Sequence, residues 1–277
     1  MSLDGWEPFW LGPASHRLYA ALHAAPGAPE TGVVLVPPLL HEMPRSRRFV
    51  TEVASELASL GLPALRFDFH GTGDSAGSGE GLDLASMHRD LDLATTALRE
   101  KTGIRRLVLI AWRGGALAVR GWLERGGCAD LIVFWEPIVD GGAWVRELVE
   151  CDARERALRP PPRAGVARAT DPSDSQLMGF PAPSRLRTDL EKTRLDDSMH
   201  RDSMHRDGMH RDDVPVWAIV RDELAELSMN IVRTLPLPAN APSFSIGAAM
   251  DATFFLTPPV RDLVGKLGQA VREEAWV

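Results

Sequence analysis

The run Ala111-Trp112-Arg113-Gly114-Gly115 stands where an apolar stretch, Arg106 to Ala111, hands over to the helical pattern of Ala116 to Leu123. A strand that bends sharply through small residues into a helix lifts its apical side chain above the sheet. That is how G-x-S-x-G elbows expose an attacking serine for acyl transfer. Ala111 and Gly115 are small enough for such a bend, but the apical residue here is Arg113. A guanidinium stays protonated at accessible pH and offers no lone pair to a carbonyl carbon. No adjacent base converts it into a nucleophile.

The partners that a serine would need are missing as well. A triad histidine belongs in a loop before the last helix, and Ile246 to Thr253 holds none; no histidine follows His210. Acids stand after strand-like segments, as Glu136 after Trp135 and as Asp222 and Glu223 after Val220, yet an acid with no base to orient has no triad role. Ser75, in Gly73-Asp74-Ser75-Ala76-Gly77, is either a relocated nucleophile or a turn serine bonding backbone groups. With no histidine placed to activate it, the turn is the better reading. His41 and His70 each lie after a strand-like run and could approach a site there, though loop histidines more often serve structure.

What can an arginine at a bend do? A cation beginning a helix opposes the macrodipole and calls for a compensating partner. Glu42, Glu136 and Asp222 are the acids whose segments end near the same sheet edge, so an internal ion pair with one of them is expected. Alternatively, Arg113 and the helix start receive a carboxylate or phosphate, and ligand exchange could open the pair. The expected pocket is therefore built from Arg113, Gly114, Leu40, His41, Glu136 and Asp222, with no catalytic residue assigned. A small anionic ligand or a protein partner is expected there, with no cofactor and no metal.

Alternating strand and helix signals are expected to position these residues. Val33 to Val36, Ala64 to Phe69, Arg106 to Ala111 and Leu131 to Trp135 read as strands buried on both faces. Between them run helical patterns, one closed by Gly61 and another spanning Leu84 to Lys101. This is the signature of a mostly parallel sheet with helices on both faces. Trp6 to Leu11 and His16 to His23 suggest an antiparallel edge hairpin. Residues 1–150 are expected to form the first part of the core, 151–213 a small cap insertion without strands, and 214–277 the rest of the core. There Val214 to Val220 and Ser243 to Ile246 read as strands, and Pro259 to Glu274 as the last helix.

Within the insertion, Met199-His200-Arg201-Asp202 recurs at Met204 and Met209, and Met87-His88-Arg89-Asp90 appears once earlier. Histidines five apart do not converge on a helix or a strand, so a solvated loop is favoured over a metal site. If helical, Asp197–Arg201, Asp202–Arg206 and Asp207–Arg211 would pair.

The 277 residues carry a formal charge of −7, which offers no basic surplus for nucleic acid. No apolar run approaches a bilayer span, and the acidic start Met1 to Trp10 does not read as a signal peptide. Two cysteines, Cys128 and Cys151, make no disulfide framework. A cytoplasmic setting is expected.

Four ordered segments are similar to the α/β-hydrolase superfamily, and most closely to exosortase A system-associated hydrolases and related serine-aminopeptidase-like proteins. They are Pro37 to Arg48 (PPLLHEMPRSRR), Asp68 to Gly77 (DFHGTGDSAG), Trp112 to Ala118 (WRGGALA) and Trp135 to Gly141 (WEPIVDG). The resemblance covers about Trp6 to Glu150 well and the remainder weakly. It implies an α/β-hydrolase fold with a small cap, and an elbow arginine that is a trait of the group. It also keeps open the hydrolysis of small ester, thioester or amide substrates by an unconventional nucleophile and base. The five-residue repeats and the surroundings of Asp251 depart from the group. Fold alone does not settle chemistry.

Overall fold

The computed structural model describes residues 5–158, 175–196, 214–221, 231–244 and 254–273. Strands β1 (Trp6–Leu11), β2 (Leu18–His23), β3 (Thr31–Val36), β4 (Ala64–Phe67), β5 (Arg106–Trp112), β6 (Leu131–Trp135), β9 (Val216–Val220) and β10 (Ile231–Pro236) form one sheet. Its order is β1-β2-β4-β3-β5-β6-β9-β10. The first two strands join antiparallel, as the expected edge hairpin, and the pairs from β4 to β10 are parallel.

Strand periodicity divides the core in two. On β5, Leu107, Leu109 and Ala111 face α2 (Leu84–Thr102) and α3 (Gly115–Glu124). Val108, Ile110 and Trp112 face α1 (Glu42–Ser59) and α6 (Pro258–Glu273). Burial on both faces explains why β3, β5 and β6 are continuous apolar runs in the sequence. Gly61 at φ +89° follows α1 and Gly103 at φ +70° ends α2, the left-handed exits that glycine takes without strain.

Three elements differ from the expectation. Helix α4 (Gly141–Leu158) runs through the 150/151 boundary. Its apolar positions Trp144, Val145, Leu148 and Cys151 are masked in the sequence by two leading glycines and a charged end. The insertion is not strandless, since β7 (Gln176–Leu177) pairs with β8 (Phe180–Pro181) before α5 (Ser184–Glu191). Finally, the strand after β9 is β10, whose residues alternate in exposure as an edge strand does, while Ser243 and Phe244 are not in a strand. Ser245 and Ile246, the repeats of residues 199–212 and the Asp–Arg pairs drawn among them lie outside the described residues.

Among the described residues no helix is long and apolar enough to cross a membrane.

Candidate functional site

Three neighbouring strands, β3, β5 and β6, are followed at their carboxyl ends by residues in the left-handed region that are not glycine. They are Leu40 at φ +54°, Arg113 at +51° and Glu136 at +43°. Such backbone costs about 1–3 kcal/mol each and persists where surrounding structure enforces it. The enforcement is visible at the bend. The Arg113 amide donates to the Trp135 carbonyl at 3.1 Å, and the Ile138 amide donates to the Arg113 carbonyl at 3.3 Å. A Cβ on Gly115 would stand 2.5 Å from the Pro37 carbonyl oxygen, and one on Gly114 would stand 2.7 Å from the Trp144 ring. Only glycines let α3 start this close to the β3–α1 loop and to α4. Arg113 thus has the backbone of an elbow apex.

Its side chain lies across the strand ends. Nε donates to Glu42 Oε1 at 3.1 Å and Nη1 donates to the Glu136 carbonyl at 3.1 Å. The guanidinium carbon is 5.7 Å from the centre of the Phe244 ring. Of the acids expected to compensate Arg113, Glu42 is the ion-pair partner, and its side chain is 1 % exposed against 20 % for Arg113. Glu136 offers Arg113 only its carbonyl because its carboxylate pairs with Arg221 at 2.7 Å. Asp222 lies outside the described residues. Nothing in the sequence analysis pointed to Arg221, although a cation directly after β9 reaches the same sheet edge.

Burial governs the electrostatics. It pushes the Glu42 carboxyl up to about 7, against the opposing pull of Arg113 and Arg45. Glu136 is also raised by burial, with Arg221 and then Arg113 pulling the other way. Burial, with Arg45 and Arg113 adding to it, lowers His41 to about 4. His41 is 1 % exposed, and neither ring nitrogen has a hydrogen-bond partner among the described residues. Glu42 Oε2 and Glu136 Oε2 are likewise buried without a hydrogen-bond partner. Gly114 caps the start of α3 with no side-chain cap hydrogen bond. The α3 start adds the positive end of its dipole. The site thus combines a cation, a helix start and a neutral imidazole, which are groups suited to an anion.

Ser75 and His70 stand elsewhere. Ser75 Oγ donates to the Asp68 carbonyl at 2.6 Å and accepts from the Tyr19 amide at 2.9 Å, so both of its roles are spent on the turn. His70 stacks on His16 with ring centres 4.0 Å apart. The fully buried Asp90 receives the His70 amide at 2.8 Å and lies 2.6 Å from His16 Nε2. The early motif copy Met87 to Asp90 is therefore a structural part of α2, with Met87 in the core.

Comparisons with known proteins bear on the fold. No protein-family model matches the chain, and no curated protein does. Among solved structures it is similar to Est1E from Butyrivibrio proteoclasticus, in a structure with ferulic acid bound. The identity is 13 % and the TM-score 0.61, over 96 % of this chain and 100 % of that one. It is also similar to the Pyrococcus furiosus esterase Pf2001, at 12 % identity and a TM-score of 0.60, over 98 % and 90 % of the two chains. The chain has the α/β-hydrolase fold, and its structural neighbours are hydrolases and esterases.

Proposed function

We propose that this chain is a non-hydrolytic binding or accessory protein on the α/β-hydrolase fold, receiving a small anion at Arg113. One observation carries the reading: the elbow apex at φ +51° is a guanidinium held by the buried Glu42, where an attacking hydroxyl would have to stand. The start of α3 at Gly114 and the neutral His41 support the anion. In exchange, the incoming carboxylate or phosphate takes Arg113 while Glu42 becomes a neutral acid. Arg113, Gly114, Leu40, His41, Glu136 and Asp222 are the residues assigned to this pocket. An arginine elbow shared with exosortase A system-associated hydrolases belongs to the same reading.

A second reading, hydrolysis of small esters, thioesters or amides by an unconventional nucleophile and base, is favoured by the hydrolases and esterases among the structural neighbours. A fluorophosphonate probe separates the two. The binding reading expects no labelled serine, and expects calorimetric binding of acetate or inorganic phosphate that Arg113→Ala abolishes. A stoichiometrically labelled serine overturns it.

A further inference from the structure

Opening the Glu42–Arg113 pair exposes two charges, and each needs a new partner. Glu42 Oε1 accepts from Arg113 Nε at 3.1 Å, and the Glu42 side chain is 1 % exposed. Its other oxygen, Oε2, is buried without a hydrogen-bond partner, and so is Oε2 of Glu136. Glu136 adjoins the same guanidinium, which donates to its carbonyl at 3.1 Å. Buried polar atoms are ordinarily satisfied, so an orphaned carboxylate oxygen marks a place that can receive a donor. His41, next to Glu42 in the chain, adds a buried neutral ring whose two nitrogens are also unpartnered.

A plain anion satisfies only the cationic half of this arrangement. It replaces Glu42 on Arg113, and the released carboxylate, buried without its cation, must then take a proton. Both Oε2 atoms stay as they were, because a carboxylate has no hydrogen to give them. The other charged groups acting on Glu42 do not substitute for Arg113. Glu136 is a second carboxylate and opposes the charge of Glu42, while Arg45 favours it less than Arg113 does. Arg221 is held by Glu136 at 2.7 Å. A ligand that brings its own ammonium avoids the protonation, since that cation meets the released carboxylate directly. An ammonium has three N–H donors, enough for the oxygen that Arg113 vacates and for Oε2 as well.

We infer that the ligand of this site is a small zwitterion of the amino-acid class, its carboxylate on Arg113 and its ammonium on Glu42. This rests on the anion-binding reading above and adds a cationic group to the ligand. The two ligand charges take the two halves of the opened pair, so Glu42 stays ionised and no proton is taken up. Acetate or phosphate occupies only the Arg113 half.

Calorimetric titration of the full chain with acetate, glycine, trimethylglycine and ethylamine tests this at pH 8 and pH 5.5. At pH 8 glycine should bind about tenfold or more tighter than acetate, the worth of a hydrogen bond to a charged group. Its binding should take up little proton where acetate takes up close to one. Trimethylglycine, which has the positive charge but no N–H, should fall below glycine, and ethylamine, which lacks the carboxylate, should not bind. At pH 5.5, where Glu42 already carries its proton, the preference for glycine should vanish. Glu42→Gln should remove that preference at pH 8 while acetate still binds. Acetate binding that Arg113→Ala abolishes, with glycine no tighter, overturns the zwitterion and leaves the anion site standing. A preference for glycine that survives in Glu42→Gln overturns the assignment of the ammonium to Glu42. Failure of both acetate and glycine to bind removes the anion-binding reading together with this inference. The ligand and pH series need only the unaltered protein, so misfolding of a variant cannot mask the answer.

Discussion

Glu42 and Arg113 form a pair in which neither member can leave alone. A buried carboxylate stripped of its cation must lose its charge, because desolvation is too costly to bear unpaired. When an anion takes Arg113, Glu42 should therefore pick up a proton. With its carboxyl already raised to about 7 in the paired state, the group is mostly ionised at pH 8 and mostly protonated at pH 5.5. Anion binding should take up close to one proton at pH 8 and little at pH 5.5, as read from calorimetry in buffers of different ionisation enthalpy. Glu42→Gln, which still accepts a bond from Arg113, should abolish the uptake and tighten binding at pH 8. Uptake that persists in that variant would place the proton elsewhere. The sequence made Arg113 and its need for an acid legible, because a fixed charge at a tight bend admits few solutions. It did not make the choice among Glu42, Glu136 and Asp222 legible. All three follow strand ends at one sheet edge, and only the fold shows that Arg221 engages the Glu136 carboxylate.

The elbow works only if α3 can approach the β3–α1 loop. Gly115 sets that distance, since a Cβ there would meet the Pro37 carbonyl oxygen at 2.5 Å and the Val36 carbonyl oxygen at 3.3 Å. These are backbone atoms of a buried strand end and cannot step aside as a flexible side chain would. Gly115→Ala should therefore cost about 1–3 kcal/mol in urea unfolding, in the range of overpacked cores, and should weaken anion binding by displacing the start of α3. Gly126→Ala, with nothing near its Cβ, serves as a control in which only the cost of the left-handed backbone appears. Equal losses in the two variants would remove close packing as the reason for Gly115. Elements buried on both faces were legible in the sequence because their apolar runs leave no other reading, as in Val33 to Val36 and Leu131 to Trp135. Strand β10 was not. Paired along one side only among the described residues, it alternates Ile231, Val232, Arg233 and Thr234 between half-buried and exposed positions, and no continuous apolar run marks it. The same one-sided burial hides α4, where four apolar positions sit among arginines and glutamates.

Over the whole molecule, response to acid should carry the contribution of three buried histidines, of which only His41 belongs to the site. His23, His41 and His88 stand in different places: at the end of β2, at the start of α1, and on α2 against Gly121. Burial, reinforced in each case by a nearby arginine, lowers all three from 6.5 to about 4. The unfolded chain then binds more protons than the folded one between those values. Their contribution is fully present above pH 6.5 and is lost as pH falls toward 4. Glu42 acts in the opposite sense. Its raised carboxyl favours the folded state below about pH 4.5, and that contribution is lost as pH rises through 7. Glu136, Asp68 and Asp90 are raised by burial as well and act in the same sense as Glu42. Against them, each of the three histidines should contribute on the order of 1–2 kcal/mol less at pH 4.5 than at pH 7. His88 isolates the cause, because neither of its ring nitrogens has a hydrogen-bond partner among the described residues. Replacing it with an apolar side chain removes no hydrogen bond and leaves no orphaned partner. His88→Leu should thus be near neutral at pH 7.5, yet lose less stability than the parent between pH 6.5 and 4.5, the difference being the contribution of one such histidine, on the order of 1–2 kcal/mol. Urea midpoints measured across that range check it. If parent and variant fall in parallel, acid sensitivity does not come from burying neutral imidazoles.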